Sequence, residues 1–298
     1  MNTINRRDFV SSGALGAVAL GAVRARAAQK AEVWVIEGGD PDALMARCLK
    51  LMDEQNGFAP GTGSLALKVN AAWARKPEVG ANTHPALVSR FLAGCRERGV
   101  REVTVPEHPC NRAEQAFDRS GIRDAVREHN FRMIDLKTRT KSFRKVDVPG
   151  GEVLKDVEIA GEYLDADMVV NMPVVKNHSA TTMSSALKNW MGVIRQRRIW
   201  HVQGLHECIA DFARVMSADW TIIDATRVML AQGPQGPSQD MKRPGRLIVS
   251  RDQVAADAVA SRFLVKHPGE IGYLRMVAER GLGVMDPERI DVHTLRAA

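Results

Sequence analysis

The stretch LALKVNAAWARKPEVGANTHPALVSRFLAGCRERGVREVTVPEH, residues 65–108, holds a strand, a helix and a second strand in that order. LALKVN is a short apolar run that ends in a polar residue, as a buried strand does where it leaves the sheet. In HPALVSRFLAGCRERG, apolar residues recur at helical spacing, Pro85 stands in the first turn, and Gly99 is the residue type that closes helices. REVTVPEH then returns to a strand. Upstream, VWVIEG at 33–38 is another strand and DPDALMARCLKLMDEQ at 40–55 another helix, with Asp40 as cap and Pro41 in its first turn. The resulting βαβαβ order predicts an α/β protein.

Downstream the same alternation continues. FRMIDL (131–136), ADMVVNMP (166–173), DWTIID (219–224) and GRLIVS (245–250) read as strands, the second and third as buried parallel ones. A helix is expected from about Leu205 to Met216, and DQVAADAVASRFLVK and EIGYLRMVAERG close the chain as two more. Residues 138–160 alternate in short β-like pieces around Pro149-Gly150-Gly151, predicting a small inserted β-hairpin region. The expected fold is therefore α/β, a mostly parallel sheet with helices on both faces, in one domain over 28–298.

Residues 1–27 are read apart from that domain. Arg6 and Arg7 precede Asp8, Phe9 and Val10, a short Gly/Ala-rich apolar run follows, and Ala25-Arg26-Ala27 offers a cleavage site. This is the pattern of a twin-arginine export signal, which makes the twin-arginine translocase a partner, a periplasmic or otherwise exported location the expectation, and a stable membrane span after processing unexpected. Removing it lowers the net charge from +7 to about +4. A chain so mildly basic, with 5% aromatic residues, lacks the stripe of cations and stacking rings of a general nucleic-acid binder. Cys48, Cys95, Cys110 and Cys208 show no C-x-x-C spacing, which argues against an iron–sulfur or zinc site of cysteines alone. Buried free thiols are the expectation for all four, with a disulfide as the alternative.

Ligands of open α/β sheets gather beyond the carboxyl ends of the strands. The polar residues there are Lys68 and Asn70, Glu107 and His108, Asn171 through His178, and Asp224. One of these strand ends opens a run from Met168 to His206, 39 residues without one Asp or Glu, which a bound anion would explain. Within it TTMSSALKNWMGVI (181–194) predicts a helix capped by Thr181 or Thr182. Met183, Leu187, Trp190, Met191 and Ile194 would form its apolar face, and Thr181, Ser184, Ser185, Lys188 and Gly192 a face for close packing. His178 before that helix and Thr83 or His84 of NTHP before another would add free helical N–H groups as anion donors. QGPQGP (232–237) would wall the same cleft, and a buried Asp257 would need Lys68 or a ligand as partner.

Together LKVN, Thr83 and Pro85, Glu107, NMPVVKNH (171–178), SSALKNWMG (184–192), His201, Asp224, GPQG (233–236) and ADAVA (256–260) resemble the bacterial and archaeal family called domain of unknown function 362. Some of its members carry a ferredoxin-like cysteine module, which this chain lacks. A more distant resemblance is to the cofactor domain of the nickel-pincer lactate racemases. His178 and Lys188, ten positions apart, match a His and a Lys of that family, and His108 a strand-end His. That likeness implies a covalently held nucleotide on Lys188, acid and base histidines, and a nickel ligand at His201 or His206. Against it, NTHP lacks the family's acid and arginine, and Ser185-Ala186-Leu187 replaces a Gly-Gly-Arg.

The reading is an exported enzyme with redox or isomerase chemistry on a small molecule. Its catalytic residues would be His178, His108 and Lys188, and its ligand-binding residues Lys68, Asn70, Thr83, Lys176, Asn189 and Asp224. The ligand is a small anion, either substrate or cofactor, with a nickel-pincer-type nucleotide as one candidate and His201 as metal ligand. The competing reading is a non-catalytic carrier of a phosphate-bearing or metal-containing ligand.

Overall fold

The structure is a computed structural model describing residues 30–58, 62–237 and 239–297; the export signal expected at 1–27 lies outside them. The chain opens with β1 (Ala31–Glu37), α1 (Pro41–Glu54), β2 (Ser64–Val69), α2 (Pro85–Glu97) and β3 (Glu102–Glu107). Asp40 caps α1 by accepting from the Ala43 amide at 2.9 Å, and His84 caps α2 by accepting from Ala86. Two short helices, α3 (Ala113–Arg119) and α4 (Ile122–Arg127), lead to β4 (Arg132–Asp135). The inserted hairpin is β5 (Phe143–Asp147) and β6 (Asp156–Ala160), a separate antiparallel pair.

Next come α5 (Gly161–Asp165), β7 (Met168–Met172), β8 (Val174–His178), β9 (Thr182–Ser184) and the single turn α6 (Ala186–Asn189). Then follow α7 (Arg197–Gln203), α8 (Leu205–Phe212), β10 (Trp220–Met229), β11 (Met241–Lys242), β12 (Arg246–Ser250), α9 (Gln253–Ser261), α10 (Gly272–Glu279) and β13 (Ile290–Arg296).

The main sheet has the order β13-β1-β12-β10-β7-β2-β3-β4. Along that path only β12 runs against its neighbours, so the sheet is mostly parallel. Alternate residues enter opposite cores, as pleating dictates. Leu65 and Leu67 face the core under α1 and α2 while Ala66 faces the other; Val170 and Ile222 join the first, Val169 and Ile223 the second. Lys68 follows Ala66 by two, so it emerges on the second face, in register with Asn171 of β7.

β1 lies across the sheet from β2, between β13 and β12, so the first crossover passes over three strands. Three sequence expectations are corrected. Residues 174–178 are not a loop after β7: beyond Pro173 the chain resumes as β8 and pairs with the far half of β10. Residues 181–194 are not one helix, because β9 pairs with β8 and only two short turns follow. Every residue from Met183 to Ile194 is buried, so the helical spacing of apolar side chains there marks no solvent-facing helix. Finally, the chain closes with β13, whose alternation of Ile290 and Val292 with polar residues suits a sheet edge.

Candidate functional site

β2, β3 and β8 end around one cavity of about 310 Å³ on the second face of the sheet. Lys68, Lys176, Lys188 and Arg197 line it together with His178 and His201, against the single carboxylate of Glu107. That carboxylate is already engaged. It accepts from Lys68 Nζ at 2.9 Å and from the amides of Ala71 and His108 at 3.0 Å each, with both side chains buried. Lys68 also donates to the Val69 carbonyl and, at 3.3 Å, to Asn189 Oδ1.

Gly192 is the residue that lets this pair fit. A Cβ there would enter the Glu107 carboxylate and stand 2.8 Å from Lys68 Nζ. Gly192→Ala is therefore expected to cost about 1–3 kcal/mol through overpacking, seen as a lower urea midpoint with an unchanged m-value.

The other two lysines have no carboxylate. Lys176 donates to the Ala81 carbonyl and reaches Asn70 Oδ1 at 3.5 Å. Lys188, 8% exposed, has the thioether of Met191 at 3.4 Å as its hydrogen-bond partner. Burial pulls both ammonium groups down, Lys176 to about 7 and Lys188 to about 8. His178 falls to about 3, first through burial and then through the charges of Lys188 and Lys176. Its Nδ1 accepts from the Ala180 amide at 3.1 Å, which leaves the proton on Nε2.

The helix N-termini are closed to a ligand. Asp257 of α9 accepts from the amides of Ala186 and Leu187 at 2.7 and 3.0 Å, at the start of the turn that carries Lys188. Asp224 accepts from the His84 amide at 2.8 Å, at the start of α2. Internal carboxylates thus occupy both positions proposed for an anion, and Asp257 is partnered by backbone rather than by Lys68 or a ligand.

The chain matches the family described as domain of unknown function (DUF362) over residues 65–262, a span that includes every cavity-lining residue. It belongs to that family. The DUF362 chain is 22% identical over 262 residues to a thylakoid-associated protein of Synechocystis sp., covering 83% of this chain and 77% of that protein. Two solved structures are similar at 12% identity: a structural-genomics protein of Thermotoga maritima, with a TM-score of 0.45, and the lactate racemase apoprotein of Thermoanaerobacterium thermosaccharolyticum, with 0.46. The matches cover 82% of this chain but 59% and 56% of those, so it spans little more than half of either.

Of the expected site residues, the DUF362 fold brings Lys68, Asn70, Lys176, His178, Lys188, Asn189 and His201 into the cavity. Three lie off its lining. Thr83 is buried between strands, donating to Met172 and accepting from the Asn70 amide. Asp224 is spent on His84 and on Thr226, whose hydroxyl it accepts at 2.6 Å. His108 donates from Nδ1 to the Ile194 carbonyl at 2.8 Å. Pro234 of the QGPQGP loop does reach the wall.

Sequence reasoning missed Arg197 and Cys110. Arg197 was one of three arginines in an acid-free run, with nothing to say which turned inward. Cys110 was expected to be a buried thiol; Cys48, Cys95 and Cys208 are buried, but Cys110 is exposed at the cavity, two residues past the strand-end His108. All four cysteines are free. Among the described residues no helix is long and apolar enough to cross a membrane, and no three His, Cys, Asp or Glu side chains group as metal ligands.

Proposed function

We propose that this DUF362 protein is an enzyme that binds a small anionic molecule in this cavity and acts on it by proton transfer, in redox or isomerase chemistry. The observation that carries the reading is the Lys188 ammonium, buried in a cavity of four cations whose one carboxylate is held by Lys68. An anion there would receive the N–H donors of Lys188 and Lys176 and the Nε2–H of His178. Both lysines titrate near neutrality, so each can hold or release a proton at working pH. The anion would also offset the lysine charges, which together with the larger effect of burial hold the His178 pKa down. As an amine, Lys188 is a nucleophile or an anchor for a cofactor.

A nickel-pincer nucleotide would find an anchor in Lys188, phosphate partners in Lys68, Lys176 or Arg197, and a ring nitrogen at His201. Such a group supplies a hydride acceptor when bound. Intact mass and metal content of protein from its own host test that loading. Export by the twin-arginine route belongs to the same proposal, resting on Arg6 and Arg7; retention of an Arg6→Lys, Arg7→Lys variant in the cytoplasm is the expected result.

The binding test uses oxalate and calorimetry. Protonated lysines bind the anion, so affinity should fall by about tenfold or more as pH rises from 6.5 to 9.5, with proton uptake on binding near pH 8. Lys188→Met should weaken oxalate by a further factor of about ten. Affinity that is flat with pH and unchanged by that substitution would refute the reading. Without an anion the sign reverses for stability. The lysine pKa values are lower folded than unfolded, so the unfolded chain binds more protons between about 7 and 10.5, and the melting temperature should gain from these groups as pH rises across that range.

A further inference from the structure

Cys110 shares the cavity with Lys68, Lys176, Lys188 and Arg197. It is the exposed thiol of the four. Its loop is held from several sides. The amides of Cys110 and Asn111 donate to the Ala72 carbonyl at 2.9 and 3.1 Å, Asn111 Oδ1 accepts from Ala74 at 2.8 Å, and Arg197 donates to the His108 and Pro109 carbonyls. The α7 residue that adds positive charge to the cavity therefore also fixes the loop that presents the thiol. Lys188 lines the same cavity, buried, with a thioether as its hydrogen-bond partner. A nucleophile and a proton donor thus line one pocket suited to negative charge, on fixed backbone.

We infer that Cys110 is a covalent site for small anionic carbonyl compounds, the 2-oxo acids and carboxylate aldehydes. This rests on the anion-binding reading above and names its substrate class. The sulfur adds to the carbonyl carbon, the carbonyl π bond breaks, and its oxygen takes a proton from Lys188. The thiol proton passes to solvent or to the resulting amine, so the hemithioacetal forms with no change of oxidation state. The substrate carboxylate lies against Lys176 and Arg197.

The test alkylates the full chain and reads Cys110 by peptide mass spectrometry. Relative to glutathione, Cys110 should favour iodoacetate over iodoacetamide by about tenfold, since the cavity concentrates anions. Glyoxylate should protect Cys110 from iodoacetamide at least ten times better than glycolate, which has the same charge and nearly the same size but no electrophilic carbonyl. Lys188→Met should remove most of that protection while Cys110 remains alkylatable. Equal protection by glyoxylate and glycolate, with the iodoacetate preference intact, overturns the covalent site and leaves the anion site standing. Borohydride trapping of glyoxylate on Lys188, with Cys110 unprotected, overturns it in favour of the amine. No iodoacetate preference and no protection by either acid overturns both readings.

Discussion

Glu107→Ala should destabilise the fold by about 3–5 kcal/mol, the loss expected when one partner of a buried ion pair is removed and the other stays buried. Lys68 and Glu107 are 1% and 2% exposed, so solvent does little to screen the stranded charge. Burial already draws the Lys68 ammonium down, and Glu107 is the group that opposes it. Without Glu107 the Ala71 amide also loses its acceptor, while the His108 amide keeps the Gly192 carbonyl at 2.9 Å. The pair itself gains little over an apolar replacement, because two desolvations offset one attraction. Lys68→Met with Glu107→Leu should therefore recover the part of the loss that comes from the stranded charge and keep about 1–3 kcal/mol for the Ala71 amide, which it too leaves without an acceptor, by urea unfolding. The pH dependence follows. In Glu107→Ala the folded pKa of Lys68 drops further below its unfolded value, so that variant should regain stability as pH rises toward 10.5. If the single and double variants unfold at the same urea concentration, the pair is not what fixes this corner of the cavity.

The strands and the first two long helices were legible because each has a local cause. Asp40 with Pro41, and Pro85 with Gly99, mark helix ends, and apolar runs such as MVV and TII are long enough only for strands buried on both faces. The acid-free run was legible too, and Lys176, His178, Lys188, Asn189, Arg197 and His201 within it do converge. What failed has one physical root: periodicity reports which residues are buried, not against what. Around 181–194 both sides are buried, so spacing that suits a helix is equally satisfied by a strand and two turns. The place of β1 beside β12 depends on pairing between residues more than 200 positions apart, for which no local signal exists. The two carboxylates that close the helix N-termini come from Asp224 and Asp257, both distant in sequence from the amides they meet.

Asp257→Ala should remove the carboxylate that ties the Lys188 turn to α9 through its backbone amides, at a cost of about 2–4 kcal/mol for two buried N–H groups left without an acceptor. Asp257→Asn keeps the shape and one acceptor oxygen but turns an amide toward the second N–H, so about half that loss is expected. Burial lifts the pKa to about 6 against the hydrogen bonds from the Leu187 and Ala186 amides, which favour the carboxylate. The sign of the pH effect follows from that contest. With a folded pKa above the unfolded one, the folded state holds the extra proton between about 4 and 6, so the contribution of Asp257 is greatest at low pH and declines as pH rises through 6. The stability advantage of the parent over Asp257→Asn should thus shrink between pH 4 and 6.5 and stay level above it, as read by paired urea titrations. A constant difference across that range would mean that the carboxylate is not buried as described. Because α6 carries both Lys188 and Asn189, Asp257→Asn should also change the rate at which Lys188 reacts with an amine reagent, whereas a purely local packing role would leave that rate alone.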